Sequence, residues 1–462
     1  MFEKFNKKLI TQDLTFKELF AYGMGMFACG AGGIGAGTYL TFFWSDIAMV
    51  PLASIGIIML ISRIFDGTDD IIVGWLIDRT QTKYGKARPW ILKTFIPATI
   101  TLVALFYVPD FGNIGKIIWA FGTYNLSKLF FSTFCMLPMQ SLTSLMTANP
   151  KGRMTLSLTS QIAMALATVL GSIFVIKGIA YLGGGKSGYF CFFGIIAVLT
   201  GVGYLIAFLG TKEKVVEIKK QKDKISLKEA YKSFAVNKWW CIATLFQFFT
   251  FLMYSFSAIN MYYMTYIMKN VDLMATFMVI QSIVQFVAPF LIGPMINRIG
   301  GKINANLVGV ALIIIGGFLP VINTPSVVLL MISSLFRGLG IGFIFSTRFA
   351  IMADIADYGE HITGRRTDAL VYSGISMSTK LGMGISAVLL TYFLKIGGYV
   401  GGFATQPPSA LAMITFMFTW LTVIIAGLMG ICAFTLKGLE NAMPKVRTEL
   451  ELRRLMQIND TI

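Results

Sequence analysis

Charge is scarce in this sequence, and acidic charge scarcer still. Only 13% of the 462 residues are charged, with 39 Lys/Arg against 22 Asp/Glu. A soluble chain carries about 25%, so a soluble multi-domain protein is excluded. Histidine occurs once, at His361, in a stretch that reads as a polar loop. A multi-histidine metal site or a His-based triad is not expected. The five cysteines, Cys29, Cys135, Cys191, Cys241 and Cys432, fall inside apolar runs without metal-ligand spacing and read as small core residues. No nucleophile–base pair or metal cluster falls in an apolar run, which argues against a membrane enzyme. The segment from Met1 to Phe16 is polar and the first apolar run is too long for an h-region, so no cleavable signal peptide is expected.

What the chain does have is long apolar runs. It is 56% hydrophobic, with a mean hydropathy of +0.72. Runs of roughly 20 apolar residues, each enough to span ~30 Å of hydrocarbon, recur near 20–44, 51–76, 90–108, 117–146, 155–177, 189–210, 239–267, 275–297, 304–322, 327–352, 369–394 and 409–436. The expected fold class is an all-α membrane protein of 12 transmembrane helices.

The net charge of +17 reads as topology rather than as nucleic-acid binding. With Lys93 counted in the loop before its span, the termini and the even-numbered loops hold 29 Lys/Arg. The odd-numbered loops hold five, namely Lys116, Lys177, Lys186, Lys269 and Lys395. That asymmetry places both termini of a multi-pass membrane protein in the cytoplasm. The polar stretch 211–238, with nine Lys and four acidic residues, reads as a cytoplasmic linker. It separates a six-helix half (1–210) from a second (239–436), followed by a tail (437–462). Binding of the linker to anionic lipid head groups is a weaker reading.

A faint repeat supports two halves. Gly74 to Asp78-Arg79, then Gly85-Lys86, is echoed by Gly293 to Asn297-Arg298, then Gly300-Gly301-Lys302. Two six-helix halves related by a parallel repeat make the major facilitator layout, with substrate at the midplane between them. A channel, built as an oligomeric ring, fits this pattern less well.

Setting aside Lys93 and Lys177, each within a turn of a span's end, eight ionisable residues fall inside the expected spans: Arg63, Asp66, Asp69, Asp70, Lys128, Arg337, Arg348 and Lys380. Each costs roughly 2.5–3.5 kcal/mol at a helix centre on translocon scales, so they face one another or a wet path. Arg63, Asp66 and Asp70 fall at i, i+3 and i+7, one helix face, with Asp69 beside them. Three carboxylates so close cannot all ionise without a cation. The cluster therefore reads as a coupling-ion site for Na⁺ or H⁺, or as a structural salt-bridge network with Arg63 and Lys380. The five basic residues outnumber the three acids, so an anionic substrate would offset the cavity's charge, and Arg suits carboxylate or sulfonate. The bland reading is that Arg337 or Arg348 snorkels or caps a neighbouring helix. Glycines from Gly23 to Gly37 permit close helix approach or leave room for substrate. Phe134, Tyr254, Tyr262 and Tyr263 could stack on a sugar, although packing is the commoner role.

The run Arg63-Ile-Phe-Asp66-Gly-Thr-Asp69-Asp70, continuing to Gly74-Trp75, followed by Gly85-Lys86-Ala-Arg88-Pro89-Trp90, resembles the helix-two signature of the glycoside–pentoside–hexuronide:cation symporters. Ala353-Asp354-Ile-Ala-Asp357-Tyr358-Gly359-Glu360 with Thr363-Gly364-Arg365-Arg366, and Lys380 on span eleven, are further matches. The resemblance runs over nearly the whole chain. It implies a cation-coupled symporter of a sugar-like solute, without cofactor and functional as a monomer. It implies that Asp66 and Asp70 bind the cation, with Thr133 contributing and Asp69 standing where the melibiose carrier has asparagine. Lys380 would lie near both cation and sugar, and Arg63 beside the carboxylates. Asp78, Arg79, Arg88, Asp354, Asp357, Glu360 and Arg365 match the cytoplasmic gate motifs.

The substrate positions depart from the melibiose type. By that alignment its sugar-binding acids fall on Gly30 and Met136, its helix-four tryptophan on Gln140, its helix-five arginine on Gln161 and its helix-ten tryptophan on Phe345. Arg348 and Lys128 look like additions. The stretch from Thr123 to Arg153 aligns without gaps to the glucuronide carriers. The expected substrate is thus an anionic sugar such as a uronide. A neutral pentoside or oligosaccharide, or a non-sugar anion or amphiphile, are the alternatives.

Overall fold

The computed structural model describes residues 14–147, 149–215, 237–324, 326–363 and 368–459. Its described residues form helices and no β-strand, with one isolated bridge between Thr82 and Gly85. Each expected span corresponds to one helical rod. These are α1 (Phe16–Ile47), α2 (Leu52–Arg79), α3 (Arg88–Leu105), α4 (113–145), α5 (Pro150–Tyr181), α6 (Gly185–Gly210), α7 (Lys238–Ile267), α8 (Leu273–Ile299), α9 (Lys302–Ile322), α10 (Val327–Thr363), α11 (Asp368–Ile396) and α12 (408–459). The all-α architecture expected from hydropathy is present. Nine helices among the described residues are long and apolar enough to cross a membrane. The second is excluded from that set by its charge: any eighteen consecutive residues of Leu52–Arg79 include Arg63, Asp66 and Asp69.

The pattern on α2 is that of a helix between lipid and protein. Ile57, Ile61, Ile64, Phe65, Ile72 and Trp75 are exposed, whereas Ile55, Ile58, Met59, Ser62, Asp66, Val73 and Ile77 are buried. The apolar face points outward and the polar residues inward, as a bilayer requires. At its end Arg79 lies over the Trp75 ring, 4.1 Å from the centroid.

Helix ends explain the sequence repeat. The Glu213 carboxylate, just beyond α6, accepts from the backbone N–H of Lys86, Ala87 and Arg88 at 2.7, 2.9 and 3.0 Å. In the second half Glu440 on α12 accepts from Lys302 and Ile303 N–H at 2.6 and 3.1 Å. A carboxylate at a helix start satisfies orphan donors and meets the positive dipole end. Gly85 and Gly301 take φ of +107° and +113°, and a Cβ at either would collide with the capping carboxylate. Arg88 completes the first clasp, donating from Nε and Nη2 to Phe208 O at 3.2 and 2.6 Å. At the N-terminus of α1, Thr15 and Glu18 form a capping box, and Lys214 pairs with Glu18 at 2.8 Å.

The chain packs as two compact units. One comprises 1–220 with 258–279 and 387–411; the other comprises 221–257, 280–386 and 412–462. The first therefore includes the ends of α7 and α11, the start of α12 and the loop between α11 and α12. Within it, the buried core includes Tyr22, Met26, Val73, Cys135, Met139 and Tyr204. A small cluster of Ala288, Ile292 and Ala305 lies in the second.

Two expectations from sequence need correcting. Cys29, Cys135 and Cys432 are buried, but Cys191 and Cys241 are exposed, because a lipid-facing position tolerates a small apolar thiol as well as a core one. His361 lies on the last turn of α10 rather than in a loop, with Nδ1 3.4 Å from Glu449 Oε2. The tail continues α12 as a helix to Asn459. It packs back on the end of α10 through Arg447, which donates to Asp354 at 2.7 Å, and Arg453, which donates to His361 O at 3.0 Å.

Candidate functional site

In the first unit the chemistry centres on α2. Helical spacing sets Asp66 and Asp70 one turn apart on one face. Asp66 is 6% exposed, and Arg63 Nη1 donates to its Oδ2 at 3.1 Å. Asp69 and Asp70 are half-buried and each is engaged by a neighbouring group. The inward face of α2 packs on residues 128–136 of α4, a stretch wound as π-helix. That wide turn carries Lys128 at one end and buried Thr133 in its middle. π-Turns inside helices recur at functional sites, because the extra residue redirects side chains and carbonyls. Lys128 Nζ lies over the Tyr124 ring, 5.4 Å from its centroid. Two carboxylates a turn apart, facing a helix that offers a hydroxyl, are oxygen donors suited to a hard cation. Among the described residues no three His, Cys, Asp or Glu side chains converge as a metal cage.

The other positions matched to the substrate site divide by environment. Gly30 is buried, and a Cβ there would meet Ala167 Cβ and the Met164 backbone at 2.8 and 3.2 Å. Its role is close approach of α1 to α5. Gly33 and Gly37 are exposed and a Cβ there would meet nothing within 4 Å. Gln140 and Gln161 are exposed. Phe134 stacks on Trp90 and Phe130, whereas Tyr262 and Tyr263 are core side chains. Of the gate positions in this unit, Arg79 and Arg88 are occupied as described above. The side chain of Asp78 lies outside the described residues.

In the second unit the two arginines of α10 differ. Arg337 is buried, donates to Gly316 O at 3.4 Å and to Phe418 O at 2.9 Å, and lies 4.3 Å from the Phe418 ring centroid. Its guanidinium ties α9 and α12 to α10. Arg348 lies 4.9 Å over Phe251, whose ring stacks on Phe345 at 5.8 Å, with Tyr254 alongside. This aromatic shelf holds a cation flat against α7. Behind it a cavity of about 20 Å³ is lined by Gln247, Arg348, Ile351, Met352, Ile375 and Leu436. That is room for one water, not for a sugar. Gln247 Nε2 is buried there with no hydrogen-bond partner among the described residues. Sequence had not singled it out, and its only signal was an amide in an apolar run.

Lys380 is half-buried on α11 and is engaged by a neighbouring group. At the end of α10, buried Asp354 is held by Lys302 Nζ and Arg447. Asp357 and Glu360 are half-buried a turn on, while Arg365 lies outside the described residues. Arg447 was missed because it falls in what reads as a tail.

The family model for MFS/sugar transport proteins matches residues 21–437. Over 452 residues the chain is 31% identical to the isoprimeverose transporter of Lactiplantibacillus pentosus, covering 96% of this chain and 92% of that one. It is 28% identical over 429 residues to an inner membrane symporter of Escherichia coli (strain K12), with 91% of each covered. Among solved structures, an inward-facing bacterial homologue of the human lysosomal transporter Spinster superposes with a TM-score of 0.63. It is 14% identical, covering 93% of this chain and 97% of that one. A likeness at that identity speaks for the fold.

Proposed function

Because the chain belongs to the MFS/sugar transport family, we propose that it is a cation-coupled symporter of the bacterial cytoplasmic membrane, importing an anionic sugar or glycoside such as a uronide. The observation that carries the coupling is the α2 face: a buried Asp66 held by Arg63, with Asp70 one turn on and Thr133 on the adjoining π-turn. Na⁺ or H⁺ is the transported partner. Either would neutralise carboxylates that burial makes costly to leave charged. The reading includes Asp69 at this site and Lys380 as the charge partner that compensates when the cation leaves. The chain is read as two six-helix halves, both termini cytoplasmic, acting as a monomer by alternating access and not as an enzyme. At the cytoplasmic face, Asp354 with Lys302 and Arg447 supplies ion pairs of the inner gate.

Arg348 supports the anionic substrate. It is half-buried on an aromatic shelf, where a guanidinium gains from a carboxylate. A second reading, a neutral glycoside, is supported by the isoprimeverose transporter, since isoprimeverose carries no charge. A thermal-shift screen of the purified protein separates them. Uronides, pentosides and neutral disaccharides are each tested with and without Na⁺. A ligand at 100 times its Kd stabilises by ~2.7 kcal/mol. A shift with uronides alone is the expected result. A shift with neutral glycosides alone moves the substrate to the second reading, and no shift with any sugar overturns both.

A further inference from the structure

A buried acid outside the coupling site is the hub of a dense contact at the other end of the first unit. Asp46 lies in the last turn of α1, 6% exposed. Its carboxylate accepts from the hydroxyls of Ser45, Tyr266 and Tyr399, and from the N–H of Gly402 at 3.4 Å. Ser45 Oγ also bonds Tyr262 OH at 2.7 Å, and the hydroxyl oxygens of Tyr399 and Tyr266 lie 3.1 Å apart. The rings of Tyr262, Tyr266 and Tyr399 pack edge to face, with centroids 5.5 and 5.6 Å apart. Four donors from three chain segments thus converge on one carboxylate: α1, the end of α7, and the 397–407 loop between α11 and α12.

The backbone around this hub is built for close contact. A Cβ at Gly401 would strike Ser45 O, and one at Gly402 (φ +76°) would strike Met49. Met49 itself holds φ +56°, a strained conformation for a residue with a side chain, of the kind that collects at switch regions. A Cβ at Gly56 would strike Thr391 where α2 meets α11. Both helices that bring acid and tyrosine together wind as π-helix here, at Phe43–Ile47 and Tyr263–Ile267. Gln406 braces the loop by bonding both N–H and C=O of Val400. By the charge asymmetry of the loops, this end faces away from the cytoplasm.

We propose that Asp46, Tyr262, Tyr266 and Tyr399 form a latch that closes the outer end of the transport path, and that releasing it admits substrate from outside. The outward direction rests on the transport reading; the latch itself rests on the contacts. Hydrogen bonds to a carboxylate are stronger than neutral ones yet reversible, which suits a closure that must open in every cycle. Burial, and then the neighbouring Tyr262 and Asp46, push the Tyr399 hydroxyl well above the usual tyrosine range. It therefore stays a donor throughout the working pH range.

The test needs neither substrate nor coupling ion. Val50 is 3% exposed and lines the roughly 260 Å³ depression over the latch. A Val50→Cys reporter, in a Cys191→Ser background, is labelled in intact cells with a membrane-impermeant maleimide. Tyr181→Cys, at a position 91% exposed, is the control. With Asp46→Asn, and separately with Tyr399→Phe, the latch loses a charge-assisted bond, and Val50→Cys labels about tenfold faster while Tyr181→Cys is unchanged. Tyr399→Phe keeps the ring and carries the test if Asp46→Asn does not reach the membrane. An unchanged Val50→Cys rate in Tyr399→Phe overturns the latch. So does an equal rise at both reporters, which is general loosening. Absence of Tyr181→Cys labelling in intact cells places this end inside and overturns the outer assignment. A latch that passes while every sugar fails the thermal-shift screen leaves the latch standing and removes the sugar reading.

Discussion

Arg337 and Arg348 stand eleven residues apart on α10 and look alike in sequence. Their surroundings separate them. Two main-chain carbonyls and the Phe418 ring consume Arg337, whereas Arg348 lies over Phe251. Arg348→Gln is therefore expected to weaken binding of an anionic substrate about tenfold or more, since a charged hydrogen bond contributes roughly 1.5–3 kcal/mol. Affinity for its neutral analogue should change little. Binding of both to the purified variant checks this, and equal losses would remove the anion argument. At the same scale Gly30 carries a packing contact, since a Cβ there would press on Ala167 and Met164. Alignment located these positions, but only the neighbours distinguish a vacancy from a packing contact.

At the scale of elements, the faint repeat after α2 and α8 acquires a cause. Each half starts its third helix against a glutamate delivered by the end of its sixth, Glu213 in one and Glu440 in the other. The glycines of the repeat were legible, and so was their basic loop. The capping acids were not, because they lie 126 and 138 residues from the N–H groups they satisfy. Replacing a capping side chain by Ala costs about 0.5–2 kcal/mol. Glu213→Ala and Glu440→Ala should each lower the Tm of the purified protein, whereas Glu451→Ala, on the exposed side of the tail, should not. A cap variant that melts with the parent would mean that water replaces the carboxylate there. The π-turns were equally invisible to hydropathy, since one extra residue in a turn leaves the apolar count unchanged.

For the whole molecule, the proposed function is coupling, which no single contact contains. If the α2 carboxylates bind the driving cation, Asp70→Asn should abolish gradient-driven accumulation in proteoliposomes yet spare exchange of substrate down its own gradient. Intact accumulation would remove the coupling assignment. The packing units also cut across the sequence halves. Residues 258–279 and 387–411, from the second half of the chain, pack with 1–220, and the Asp46 latch lies in that junction.

By itself the sequence determined the membrane class, the helical rods, the charged face of α2 and the family resemblance that the family match bears out. These are properties of short windows: about twenty apolar residues span the hydrocarbon, and an acid's cost there depends on its depth and not on its distant partners. Tertiary structure alone decided what each polar group does. Asp46 is an unremarked acid between two spans until Gly402, 356 residues away, donates its N–H. Hydrogen bonds reach only about 3 Å, so such a partner exists only once the fold has brought it there.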